Sequence, residues 1–165
     1  MDERVKAMIW HQFGAAIDML ENAVNACPDR LWGDRARKPE FWQLVYHTLF
    51  YLDLYLSETD AGFEPPSPFD ANERNADGPP PKRAYSKTEL LSYLAHGRAK
   101  CRATIMAMSA ERAEGRCGFY WLKLTDAELL LYNMRHVQHH TAQLNLLLRQ
   151  VTDSAPGWVS QAKDR

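Results

Sequence analysis

Apolar residues recur every three to four positions along most of this chain, the rhythm of a helix with one buried face. Four stretches hold it long enough to predict a helix each. The first runs from about Asp2 to Ala26, where Val5, Ile9, Ala16, Leu20 and Val24 form a stripe that stops at Cys27-Pro28. A charged connector, 28–38, leads to the second. Pro39 suits a first helical turn because its missing N–H would have had no partner there, and EFWQLVYHTLFYLDLYLSE carries the helix to about Glu58. This segment is apolar nearly all round, which predicts deep burial. Ser86 and Glu89 announce the third helix as a reciprocal capping pair, and Leu90, Leu94, Cys101, Ile105 and Met108 are its buried stripe. Thr125 and Glu128 repeat that signal before a fourth helix that reaches about Val151. No stretch alternates convincingly with the period of two that a half-buried strand requires.

Between the second and third helices lies TDAGFEPPSPFDANERNADGPPPKRAY, residues 59–85, with six of the nine prolines and no helical period. A connection this long is unusual in a compact domain and fits a crossover that lets the helices on either side run parallel. The expected fold is all-α: a four-helix bundle with a long Pro-rich crossover, occupying 1–165 as one domain. The tail, 152–165, is expected to fray, with Trp158 able to dock back.

Composition narrows the function. A chain of 165 residues, 45% apolar and 25% charged, has the make-up of a globular domain with a real core. Its formal charge of −1, from 20 basic and 21 acidic side chains, gives no field to steer nucleic acid or anionic lipid. The three cysteines, Cys27, Cys101 and Cys117, have no CxxC spacing, and MDERVKAMIW places acids where a signal peptide needs a basic start. No window approaches the ~18 apolar residues of a membrane span. The expectation is a cytoplasmic protein with neither nucleic acid nor membrane as partner.

Chemistry concentrates in RHVQHHTAQL, residues 135–144. At about 100° per residue, His136 and His140 share a side of the fourth helix with Leu129, Asn133, Leu144, Leu147 and Val151, while His139 falls at or beyond the edge. Spacing of four stacks two imidazoles one turn apart, within reach of one divalent ion. The third candidate is His47, which shares a sector with Gln43, Phe50, Tyr51 and Leu54 and lies mid-helix, as the other two do. Three neutral imidazoles with an open fourth position is a catalytic arrangement for zinc. A lone histidine on an apolar face is more often a hydrogen-bonded core residue. Three at matching depth would each need a separate buried partner. On spacing alone both readings stand.

VYHTLFYLDLYL in the second helix, with HVQHHTAQLNLLLR in the last, resembles the DinB-like superfamily of metal-binding four-helix bundles. The resemblance covers essentially the whole chain, in the order and length of helices, the long connection after the second, and a final H-x-x-x-H-x-x-Q-L motif. It implies an up-down-down-up bundle, often a homodimer, with a divalent metal held near one end by three histidines, here His47, His136 and His140. Zinc or nickel comes first and manganese or iron next, since imidazole suits several of these ions. Ala142 stands where many relatives have glycine, a change that bears on packing more than on metal binding. Members include thiol S-transferases that use low-molecular-weight thiols such as bacillithiol, a mycothiol-dependent isomerase, and proteins of unknown activity described as metal-dependent hydrolases. The resemblance thus implies a metalloenzyme that activates a thiol or water toward a small electrophilic substrate.

Other residues have weaker claims. Gln43, Asn133 and Gln143 are placed to orient an imidazole, and Tyr51 and Tyr132 to wall a pocket. Asp53 lies on another face, His96 reads as solvated, His11 is uninformative, and Cys101 reads as a small buried apolar group. A competing reading is a non-enzymatic metal- or ligand-binding, dimerising bundle, whose apolar second helix would serve as an interface. An open coordination position beside a pocket separates the two.

Overall fold

In the computed structural model, which describes residues 1–74, 81 and 83–162, the chain is all-helical, with no named strand among the described residues and one isolated bridge pairing Arg116 with Thr125. The described residues form six α-helices: α1 (Glu3–Ala26), α2 (Asp29–Trp32), α3 (Phe41–Leu54), α4 (Lys87–Ala107), α5 (Ala110–Glu114) and α6 (Asp126–Thr152). The four long ones match the hydrophobic rhythm, and the two short ones lie in connectors. No helix among the described residues is long and apolar enough to cross a membrane.

Both expected capping pairs form. The Ser86 hydroxyl accepts from the Glu89 N–H while the Glu89 carboxylate accepts from the Ser86 N–H, and Thr125 and Glu128 do the same for α6. A third box corrects the start of α3. Glu40 is the N-cap and its N–H donates to Gln43 Oε1 at 2.9 Å, so Pro39 precedes the cap rather than occupying the first turn. The helix also ends earlier than expected. After Leu54 the N–H groups of Leu56 and Ser57 turn back to the carbonyls of Asp53 and Leu54.

The long helices pair so that α1 packs on α4 and α6, and α3 packs on the same two. The core between them includes Phe13, Ile17 and Leu20 of α1, Val45, Leu49 and Leu52 of α3, Leu94, Cys101 and Ile105 of α4, and Val137, Leu144 and Leu148 of α6. Eleven of the fourteen residues of α3 are buried, as its apolar circumference demands. The other three, Gln43, His47 and Tyr51, are spaced by four and make one half-buried line along the helix.

Two charged clusters tie α4 to its neighbours. Arg98 pairs with Asp18 and, at 2.9 Å, with Glu21 on α1. Buried Asp53 on α3 meets Lys100 at 2.5 Å and the Tyr93 hydroxyl at 3.1 Å. His96, expected in solvent, is 46% exposed, yet its Nε2 lies 3.5 Å from Asp53.

The C-terminal tail departs from expectation. Trp158 is 73% exposed rather than docked, and Ala162 is the residue that packs back, its N–H donating to the His11 carbonyl at 2.9 Å. A Cβ on Gly14 would come within 2.6 Å of the Ala162 methyl, so α1 needs glycine where the tail crosses it.

Candidate metal centre

His47 lies mid-way along α3; His136 and His140 lie one turn apart on α6, the helix packed beside it. The buried stripe of α6 is Leu129, Leu130, Asn133, Val137, Thr141, Leu144 and Leu148. His140 and His136 sit about 60° and 100° round from Val137 on one shoulder of it. They are half-buried at an edge, whereas spacing alone placed them on the stripe. That shoulder faces the half-buried line of α3. His139 is exposed, as expected.

The three rings converge. Their centroids are 5.3 Å apart for His47 and His136, 4.8 Å for His47 and His140, and 4.5 Å for His136 and His140. One nitrogen from each lies within 4.8 Å of the others. No carboxylate or thiol of the described residues joins that group. The Nε2 atoms of His47 and His136 are 3.4 Å apart. Two nitrogens each 2.0–2.1 Å from one tetrahedral ion would be separated by about 3.4 Å, so the pair has the spacing of ligands to a shared ion.

Two of the three remaining ring nitrogens are engaged on the outer side. His140 Nδ1 is 2.7 Å from Gln143 Oε1; an amide oxygen can only accept, so the proton resides on Nδ1 and the Nε2 lone pair is free. His47 Nδ1 is 2.6 Å from the Glu73 carboxylate. His136 Nδ1 is buried with no hydrogen-bond partner. Burial, with the charges of His140, His47 and His139, pushes the His136 pKa down to about 3, and burial also lowers His140. Both are neutral at pH 7, the state that ligates metal. This cluster is compatible with binding a divalent ion.

A cleft of about 900 Å³ opens beside His47 and His140. Leu44, Tyr46, Leu146 and Leu147 give it apolar walls, and Arg37 and Lys38 supply cations. His136 looks onto a smaller hollow of about 490 Å³ with Tyr132, Arg135 and His139. The histidines therefore separate two hollows, and solvent can reach them.

Of the supporting candidates, Gln143 orients an imidazole. Gln43 spends its Oε1 on the α3 cap, and Asn133 donates to the Leu52 carbonyl at 3.0 Å, fastening α6 to α3. Tyr51 walls the centre, its ring 4.8 Å from His47 and 5.5 Å from His136. Tyr132 packs on Tyr55. Glu73 was invisible to sequence reasoning because it lies in the aperiodic crossover. The only available signal was chemical: a ligating imidazole wants an acceptor behind it.

Comparison with known proteins bears on the family of the chain. The uncharacterized protein YrdA of Bacillus subtilis (strain 168) is similar at 25% identity over 122 residues, which is 74% of this chain and 67% of that protein. No solved structure matches. The family model described as the DinB superfamily matches residues 12–144, a span holding all three clustered histidines, the whole of α3 and α6 as far as Leu144, and the chain belongs to that superfamily.

Proposed function

We propose that His47, His136 and His140 hold a divalent ion through their Nε2 atoms, and that the protein is a metalloenzyme acting on a small electrophilic substrate with a thiol or water as nucleophile. The observation that carries this is a cluster of three imidazoles, joined by no carboxylate or thiol among the described residues, at the edge of a cleft of about 900 Å³. A closed structural site would have its fourth position filled by the protein. When bound, the ion supplies Lewis acidity, which makes a thiol or water nucleophilic near neutral pH.

The chain's own side chains do the rest. Gln143 keeps the His140 proton on Nδ1. Leu146 and Leu147 give one side of the cleft an apolar lining, and Arg37 and Lys38 stand where an anionic portion of the substrate would be drawn. Zinc or nickel suits this donor set. In the same reading the four long helices form an up-down-down-up bundle within one domain, with the short helices as ornaments of its connectors.

Elemental analysis tests the proposal, on protein prepared without a histidine tag or nickel column, alongside His47→Ala and His136→Ala variants that retain their helicity. About one divalent ion per chain, lost from both variants, is expected, followed by turnover when thiols and electrophiles are screened. Failure to retain or take up zinc, nickel or manganese would overturn it.

A further inference from the structure

We infer that the crossover between α3 and α4 is a working part of the metal centre, with Glu73 as the positioning residue for His47. The inference rests on the metal-binding reading above. Glu73 lies in a single 3₁₀ turn, Asn72–Arg74, and its carboxylate reaches His47 Nδ1 at 2.6 Å. The segment around it is gripped at two points that bracket His47 on α3. Before His47, the Tyr46 hydroxyl donates to the Asp70 carbonyl. After it, the Tyr51 hydroxyl donates to the Glu73 carbonyl at 3.3 Å. Asp70 is fixed further, since its N–H donates to the Tyr85 hydroxyl at 3.2 Å and its carboxylate accepts from the Asn72 N–H at 3.0 Å.

These tyrosines hold the segment chiefly through its backbone, so the Glu73 carboxylate is not needed as an anchor. Its chemistry is directed at the imidazole. A carboxylate can only accept, so it keeps the His47 proton on Nδ1 and leaves the Nε2 lone pair facing His136 Nε2, 3.4 Å away. It also increases the donor strength of that lone pair. Linkage then runs both ways: if the loop contact favours the ion, the ion favours the loop contact by the same factor.

The test compares wild type with Glu73→Ala, Glu73→Gln and, as a control, exposed Glu64→Gln from the same loop. Zinc affinity is measured by competition with a chromophoric chelator, and the His47 tautomer by ¹⁵N-correlated NMR on metal-free protein. Glu73→Ala should weaken zinc binding by about 10- to 100-fold. Glu73→Gln, which keeps an acceptor without the charge, should fall between, and Glu64→Gln should match wild type. The Nδ1–H tautomer should predominate in wild type and lose that dominance in Glu73→Ala. Zinc should slow tryptic cleavage within residues 59–85 in wild type and less so in Glu73→Ala. Wild-type zinc affinity in Glu73→Ala would overturn the inference, as would a loss equal to that of His47→Ala, which would make Glu73 a ligand. If wild type binds no metal, the proposed function fails instead, and the NMR arm still reads the Glu73–His47 contact on its own.

Discussion

Two polar clusters flank α3, and they are built on opposite principles. On the α4 side, Lys100 spends its donors on the Asp53 carboxylate, the Asp53 carbonyl and the Ser57 hydroxyl, while Tyr93 takes the other carboxylate oxygen. On the α6 side, His136 Nδ1 is buried without a partner, and two Nε2 atoms face each other at 3.4 Å. A polar cluster satisfied from within acts as a fastener. One left unsatisfied carries a standing cost; an ion on the facing Nε2 atoms would give those lone pairs a partner while leaving His136 Nδ1 orphaned. The Asp53 cluster is also the more deeply buried of the two, so the less buried side is the one left incomplete.

This contrast can be broken by mutation. His136→Leu should abolish metal retention, lowering affinity by about a thousandfold or more because one of three ligands is lost. The same change should leave the unfolding free energy of metal-free protein within about 1 kcal/mol of wild type, since an apolar group replaces an unsatisfied one. Metal analysis and urea denaturation read the two effects. Asp53→Ala should do the reverse. Stripping the acid from Lys100 and Tyr93 should cost about 3 kcal/mol in urea denaturation, with metal stoichiometry unchanged in the folded fraction.

Two smaller effects sharpen the contrast. Gln143→Ala removes the acceptor behind His140 at an exposed position, so zinc affinity should drop by about tenfold with no measurable change in stability. Acid should also act selectively. His136 titrates near 6.5 when unfolded and at about 3 when folded, so the unfolded state binds the extra proton between those values. Stability from this group is complete above pH 6.5 and drains away as pH falls toward 3. At pH 5.5 metal-free wild type should have lost about 1 kcal/mol relative to pH 7.5 through this group. Subtracting the His136→Leu profile from the wild-type profile isolates that loss.

Much of this was legible in the chain. Capping pairs and apolar stripes located the four long helices because both signals are local. The grouping of His47 with His136 and His140 could be anticipated because depth along a helix and angle around it both follow from residue number. What escaped depends on contacts remote in sequence. The start of α3 is the local exception, settled by the Glu40–Gln43 box that begins just after Pro39. Which acid backs His47 is settled by a crossover with no periodicity, pinned by tyrosines from elsewhere. The docking of Ala162 depends on a bare backbone at Gly14, and nothing in the tail's own composition announces that.

The half-buried line on α3 has a consequence for how this protein can change over time. With eleven of fourteen positions committed to the core, nearly any substitution on that helix is a packing event with a cost in stability. Gln43, His47 and Tyr51 are the exceptions, and all three face the side where the cleft and the histidines lie. Gln43 closes the helix start, His47 sits in the cluster and Tyr51 donates to the Glu73 carbonyl, so a change at any of them is felt at the cluster rather than in the core. The scaffold thus confines packing-neutral change on α3 to the positions that border the histidine cluster, so substitutions there reach the cluster while the architecture stays constant.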